Sequence, residues 1–264
     1  MYRDMVDRKC SIEISQGSIF NSAFCEDYIN EEVLGVIITA RCDIENKNKV
    51  PSYIYISAIP YKHWKNNDLV TLLKKRHLTE KRNLFLEEIS KFKLSEFHIE
   101  TYGEEKTINL IRKLSNGKGN ITRIEKRYLD FTTLKNASKH SDISEIYKKE
   151  IEKTIKDISE SKEANYFLID NVDGYGSVIV NLRDIYKLNK KVAEEIIGGI
   201  EIKTIKNKNY NDYSAINTRH TDTLVSLVGT IRSPYIELLM QRFSNNFIRI
   251  GVENPHSELY KKIA

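Results

Sequence analysis

Arg41, Cys42 and Asp43 stand directly behind the apolar run Leu34-Gly35-Val36-Ile37-Ile38-Thr39-Ala40. A cysteine becomes a nucleophile when a histidine beside it lowers its pKa. An arginine fork grips phosphate oxygens in pairs and offsets the charge that builds on them. Asp43 completes the group, or else starts a turn and pairs with Arg41. The histidine behind the next strand-like segment is His63, the candidate acid or base. Trp64 follows it, with Lys62 and Lys65 on either side. A ring so placed can stack on a base of single-stranded RNA, or can lie half-buried in a surface loop.

Two further basic groups could meet a phosphate backbone. Lys187, Lys190, Lys191, Lys203, Lys206 and Lys208 fall between 187 and 208. Such a run neutralises nucleic-acid phosphates, or is an ordinary solvated face. Arg232, Arg242 and Arg249 gather near the other end, with Gln241 among them, and Ser233 can open a helix whose N-terminus favours anions. Their plain alternative is capping plus ion pairs with Glu237 and Glu253. Trp64, Lys190, Lys191, Lys203, Lys206, Lys208, Arg232 and Arg242 form the candidate nucleic-acid set. Cys10, Cys25 and Cys42 are widely spaced, without CxxC or HxxxH patterns. The expectation is therefore small buried thiols in a reducing compartment, no disulfide framework and no metal site. No Walker A, GxGxxG, HExxH or GxSxG pattern occurs, so no cofactor is expected, and nucleotide hydrolysis, dinucleotide chemistry and serine hydrolysis are disfavoured.

These groups need a scaffold. The 264 residues, 40% apolar and 30% charged, suit one large domain or two small ones with a real core. The apolar runs fall far short of the roughly 20 residues that cross a bilayer. Met1–Lys9 lacks the apolar core of a signal peptide, so a cytoplasmic protein is expected. The net charge of +5 permits nucleic-acid contact without requiring it. Abundant Lys, Ile, Asn and Tyr match the usage of an AT-rich genome.

Residues 11 to 60 read as β: an alternation from Ile12 to Phe20 punctuated by Gly17, the buried run Val33 to Thr39, a polar loop at 46–49, and the β-branched and aromatic segment Tyr53 to Ile59, ended by Pro60. Residues 61–163 read as helical. Asp68 and Thr79 each cap a segment, Ile108 and Ile111 share a face, 115–124 is a turn, and 143–160 is amphipathic behind an Asp142/Glu145 capping box. The apolar stripe of 143–160 packs on its own domain or takes a partner protein. Tyr166–Ile169 and Ser177–Asn181 flank Asp173-Gly174-Tyr175-Gly176 as a hairpin. A helix follows from Leu188 to Ile197, stopped by Gly198-Gly199, then a short strand 200–205. Ser233-Pro234 opens a last helix. The expected fold class is α+β: an antiparallel β-barrel-like domain from 1–60 plus 164–264, closed by a C-terminal helix and interrupted by a mainly helical insertion at 61–163.

Gln16-Gly17-Ser18-Ile19-Phe20, Gly35-Val36-Ile37-Ile38-Thr39 and Ile54-Tyr55-Ile56-Ser57-Ala58-Ile59-Pro60 resemble the opening strands of the PemK/MazF-type SH3-like barrels. The resemblance implies an SH3-like barrel and a bacterial toxin endoribonuclease that cuts RNA without a metal. The family's arginine precedes the apolar strand, where this chain has Glu31, Glu32, Val33 and Leu34, and its Thr or Ser follows the proline, where this chain has Tyr61, Lys62 and His63. Arg41 is the residue left to substitute for that arginine. The leading expectation is a bacterial protein that binds or acts on RNA or another nucleic acid; if it cuts, as a metal-independent, toxin-like endoribonuclease, Arg41, Cys42, Asp43 and His63 are the candidate catalytic residues. The rival is a non-catalytic interaction module or partner subunit of a bacterial stress or phage-defence system.

Overall fold

The computed structural model describes residues 4–7, 13–46, 49–114, 121–205, 210–219 and 224–247. In chain order the elements are β1 (Val6–Asp7), β2 (Ser18–Phe20), β3 (Leu34–Ile37), α1 (Arg41–Glu45), β4 (Ser52–Pro60), α2 (Tyr61–Trp64), α3 (Asp68–Ser90), α4 (Glu96–Tyr102), α5 (Glu104–Leu114), α6 (Ile121–Asn136) and α7 (Lys148–Ser159). They continue as β5 (Tyr166–Val172), β6 (Gly176–Asn189), α8 (Lys190–Gly198), β7 (Ile200–Glu201), α9 (Ile202–Ile205), β8 (Leu224–Val225), β9 (Leu227–Ile231) and α10 (Tyr235–Phe247). The chain folds into two compact units, one from residues 1–61 with 157–264 and the other from 62–156. They are called the β unit and the helical unit below.

The β unit is an antiparallel sheet in the order β1-β9-β2-β3-β4-β6-β5. It curls until its two outer strands meet, where the Asp170 amide donates to Met5 Sδ at 3.4 Å. The result is a nearly closed, barrel-like sheet. Successive side chains of a strand face opposite ways, yet Val36 and Ile37, and Tyr55 and Ile56, are all buried. The two faces feed separate cores. Ile19, Val36, Ile56, Phe167 and Val180 fill one, with Ile236 and Leu239 of α10. Phe20, Ile37, Tyr55 and Leu188 fill the other, with Val192, Ala193 and Ile196 of α8. Burial on both faces is why β3 and β4 read as near-continuous apolar runs.

The helical unit packs α3 against α6, with Phe85, Ile89, Ile108, Ile111, Ile124 and Phe131 at its centre. The sequence expects separate helices capped at Asp68 and Thr79, but α3 is continuous through Thr79. Arg76 donates to Thr154 at 3.1 Å and Lys81 pairs with Glu150 at 3.6 Å, so contacts to α7 hold the middle of α3 helical and override the local cap preference. Four other expectations shift, the first being the helix expected from Leu188: Leu188 and Asn189 still belong to β6, and α8 begins at Lys190. Residues 121–124 open α6 instead of completing a turn. The expected strand 200–205 is β-paired only at Ile200–Glu201 before α9 begins. The expected helix 143–160 is regular only over Lys148–Ser159, because Asp142 Oδ2 accepts the Ser138 and Lys139 amides at 2.8 and 3.1 Å and caps its own short turn. Ile12 and residues 115–120 of the expected turn lie outside the described residues.

Candidate nucleic-acid interface

Arg41, Cys42 and Asp43 sit on α1, a single helical turn, instead of the rigid end of β3. Arg41 and Cys42 are exposed, and Arg41 reaches Glu237 at 3.3 Å. Cys42 Sγ lies 3.5 Å from Asp43 Oδ1, and the Lys49 amine bonded to Asp43 holds that carboxyl below the usual range. His63 belongs to the helical unit and the other three to the β unit. Trp64 is fully buried, so its ring faces offer no platform to a base.

Of the expected basic groups, Lys190, Arg232 and Arg242 have close partners or acidic neighbours. Lys190 lines a cavity of about 300 Å³ together with Glu13, Glu45 and Glu194, an acidic setting. Lys191 and Lys203 are exposed, on α8 and α9. Lys206, Lys208 and Arg249 lie outside the described residues. Arg232 pairs with Asp4 and, at 4.0 Å, with Asp7. Arg242 donates to the Ser161 and Glu163 carbonyls, and burial draws its pKa below the ordinary arginine value. It ties α10 to the chain entering β5.

The positive charge lies elsewhere. Residues 62–156 hold 22 Lys and Arg against 14 Asp and Glu, a formal +8, whereas the rest of the chain holds 20 against 23, a formal −3. Carboxylates inside the helical unit are engaged by neighbouring bases, Glu88 by Lys91 and Arg123, and Glu125 by Arg112. Helix α7 shows how the surplus is displayed. Its apolar stripe, Ile151, Thr154 and Ile158, is buried, leaving Lys148, Lys149, Lys153 and Lys156 exposed. Lys149, Lys153 and Lys156 recur at i, i+4 and i+7, so they share one face over about 10 Å.

The sequence reading missed a polar cluster in the β unit. Between the pairs Ile56–Ile185 and Ala58–Val180 the ladder breaks, and one residue of β4, Ser57, faces 181–184 of β6. That bulge swings Asp184 over Ser57, whose hydroxyl donates to Oδ2 at 2.5 Å, while the Cys25 thiol donates to the same oxygen at 3.2 Å. Tyr55 and Tyr186 stack beside them, ring centroids 5.3 Å apart. The signal was an acid in the Asp184-x-Tyr186-x-Leu188 alternation, on the strand face that buries Leu188.

Burial, then the charge and hydrogen bond of Asp184, push the Cys25 thiol up to about 12. It therefore stays protonated at neutral pH and is no nucleophile. Burial likewise raises Tyr55 and Tyr186. Because the folded thiol pKa lies above its ordinary 9.0, the stability it contributes is complete below pH 9 and is lost as pH climbs toward about 12. Urea midpoints of the β unit should fall across that window and fall less steeply in Cys25→Ser. Identical slopes in the two proteins would show that the thiol does not couple to folding.

Among the described residues no group of three or more His, Cys, Asp or Glu is placed to hold a metal ion, and no helix is long and apolar enough to cross a membrane. Compared with known protein families, curated proteins and solved structures, the chain gives no match to any of them.

Proposed function

We propose that this protein binds RNA or another single-stranded nucleic acid through its helical unit, with the nearly closed β unit acting as an SH3-like barrel scaffold. The observation that carries the reading is the charge partition, +8 within 62–156 against −3 in the rest of the chain. A basic surplus confined to one folded unit is the electrostatic footprint of phosphate-backbone binding, and it raises association rates by attracting the polyanion. Two observations count against the alternatives. Ile151, Thr154 and Ile158 of α7 are turned into the fold and not toward a partner helix, and Arg41 is paired with Glu237 on an exposed turn.

The test is fluorescence anisotropy with a labelled oligouridylate, titrated from about 50 to 200 mM salt. Affinity should drop with a log–log slope of about −3, as release of several counterions requires. Joint Lys149→Glu and Lys153→Glu substitution should weaken binding about tenfold and flatten the slope by about one unit per lysine. Salt-independent binding, or a reversed variant that binds like the parent, would overturn the reading. The same mixtures, held in EDTA and sized on a denaturing gel, address cleavage. Scission abolished in Arg41→Ala would replace simple binding with metal-free endoribonuclease action of the PemK/MazF kind.

A further inference from the structure

Helices α4 and α5 enclose a second feature of the helical unit, a cavity of about 540 Å³ walled by His98, Tyr102 and Leu110 and rimmed by Lys106, Asn109 and Lys113. Its volume suits a ligand the size of a nucleoside. Aromatic side chains are ordinarily drawn into a core, yet Tyr102 is 56% exposed at this wall and Phe97, on the same helix, is 68% exposed. Every ionisable group lining the cavity other than Tyr102 is a base, and among the described residues that line it there is no carboxylate. This contrasts with the cavity holding Lys190, where glutamates surround the lysine.

The wall is held in place by local structure. His98 Nδ1 accepts the Ser95 amide at 3.1 Å in the capping box that starts α4, which leaves its proton on Nε2 as a donor. Gly103, at φ +83°, ends α4 and lets α5 begin one residue later, a backbone state an L side chain rarely adopts. Thr107 Oγ1 then donates to the Gly103 carbonyl at 2.8 Å and pins the corner. Tyr102 and Lys106 are thus fixed on either side of one tight turn. His98 lies 6.5 Å from the Tyr102 ring, tilted by 35°.

We infer that this cavity is the single-strand site of the interface: an unpaired base stacks on Tyr102 while its flanking phosphates meet Lys106 and Lys113. The inference rests on the nucleic-acid reading above and deepens it by naming the substrate class as unpaired strand in preference to duplex. Base–aromatic stacking is open only to a base freed from its pair, whereas lysines scattered over α7 contact phosphates of either form. Asn109 at the rim, whose Oδ1 accepts from Arg112 at 2.9 Å, keeps its amide N–H donors for a base edge.

The experiment compares a labelled oligouridylate with a labelled duplex RNA of equal length by anisotropy, in the parent, Tyr102→Ala, Tyr102→Phe and Lys113→Glu. Thermal melts by circular dichroism confirm that each variant is folded. The parent should favour the single strand. Tyr102→Ala should lose about tenfold on the single strand, within the range expected for one stacked base, and little on duplex. Tyr102→Phe keeps the ring and should bind like the parent, while Lys113→Glu should weaken single-strand binding and flatten its salt slope. If Tyr102→Ala binds unchanged while salt-dependent binding persists, the cavity assignment falls and the basic-unit reading stands. If the parent binds neither form in a salt-dependent way, both fall. Capture of polyglutamate but not of oligonucleotide would instead make the cavity a site for acidic peptide and overturn the assignment.

Discussion

Gly35→Val should destabilise the β unit by about 3 kcal/mol, at the upper end of what overpacking a core costs. Gly35 is the middle of β3, paired to Phe20 on one side and Ser57 on the other. A Cβ built there would lie inside the van der Waals shells of Phe20 Cε1 and Cζ and 2.9 Å from Tyr55 Cδ2. Those two rings meet edge-to-face with centroids 5.2 Å apart, and both are fully buried, so neither has room to retreat. The damage should spread from the strand to the polar cluster, since Tyr55 stacks on Tyr186 and its hydroxyl donates to the Phe24 carbonyl at 3.0 Å. Urea denaturation reads the loss, and hydrogen exchange at the β3 and β4 amides locates it. A midpoint equal to the parent's would mean the ring pair can part at little cost, contrary to the packing described.

Phe85→Ala should cost the helical unit about 4 kcal/mol, the usual toll of deleting a buried phenyl ring. Phe85 has no exposed area. Its ring stacks on Phe131 at 6.0 Å and leans on Tyr128 at 5.5 Å, joining α3 to α6. It also lines an existing cavity of about 610 Å³, alongside Leu78, Leu86 and Ile99, so truncation enlarges a void instead of letting the walls close. The expected signature is faster exchange of the α3 and α6 amides and, under the proposed nucleic-acid reading, loss of oligonucleotide binding near the melting temperature of the variant. Exchange rates in α3 unchanged from the parent would show that the ring is not the centre of that core.

Local patterns were legible in the chain. Tyr53 to Ile59 alternates as a strand and is one, β4, extended by a residue at each end. The hairpin around Asp173-Gly174-Tyr175-Gly176 forms as β5 and β6, with Gly174 and Gly176 at positive φ where the turn needs them. The charge partition was also written in the sequence, but it stays invisible until residues 62–156 are seen to fold as one unit. What only the tertiary structure decided concerns partners distant along the chain. Val6 pairs with Ile231, Cys25 and Ser57 converge on Asp184, Trp64 is buried out of reach of any base, and α3 runs through a residue that favours a cap. The physical reason is the range of the forces. Periodicity and turn chemistry act within a few residues, so each segment carries them alone. Strand pairing, burial of a ring and the meeting of a thiol with a carboxylate depend on which distant segments close together, and that is set by the mutual burial of the whole fold.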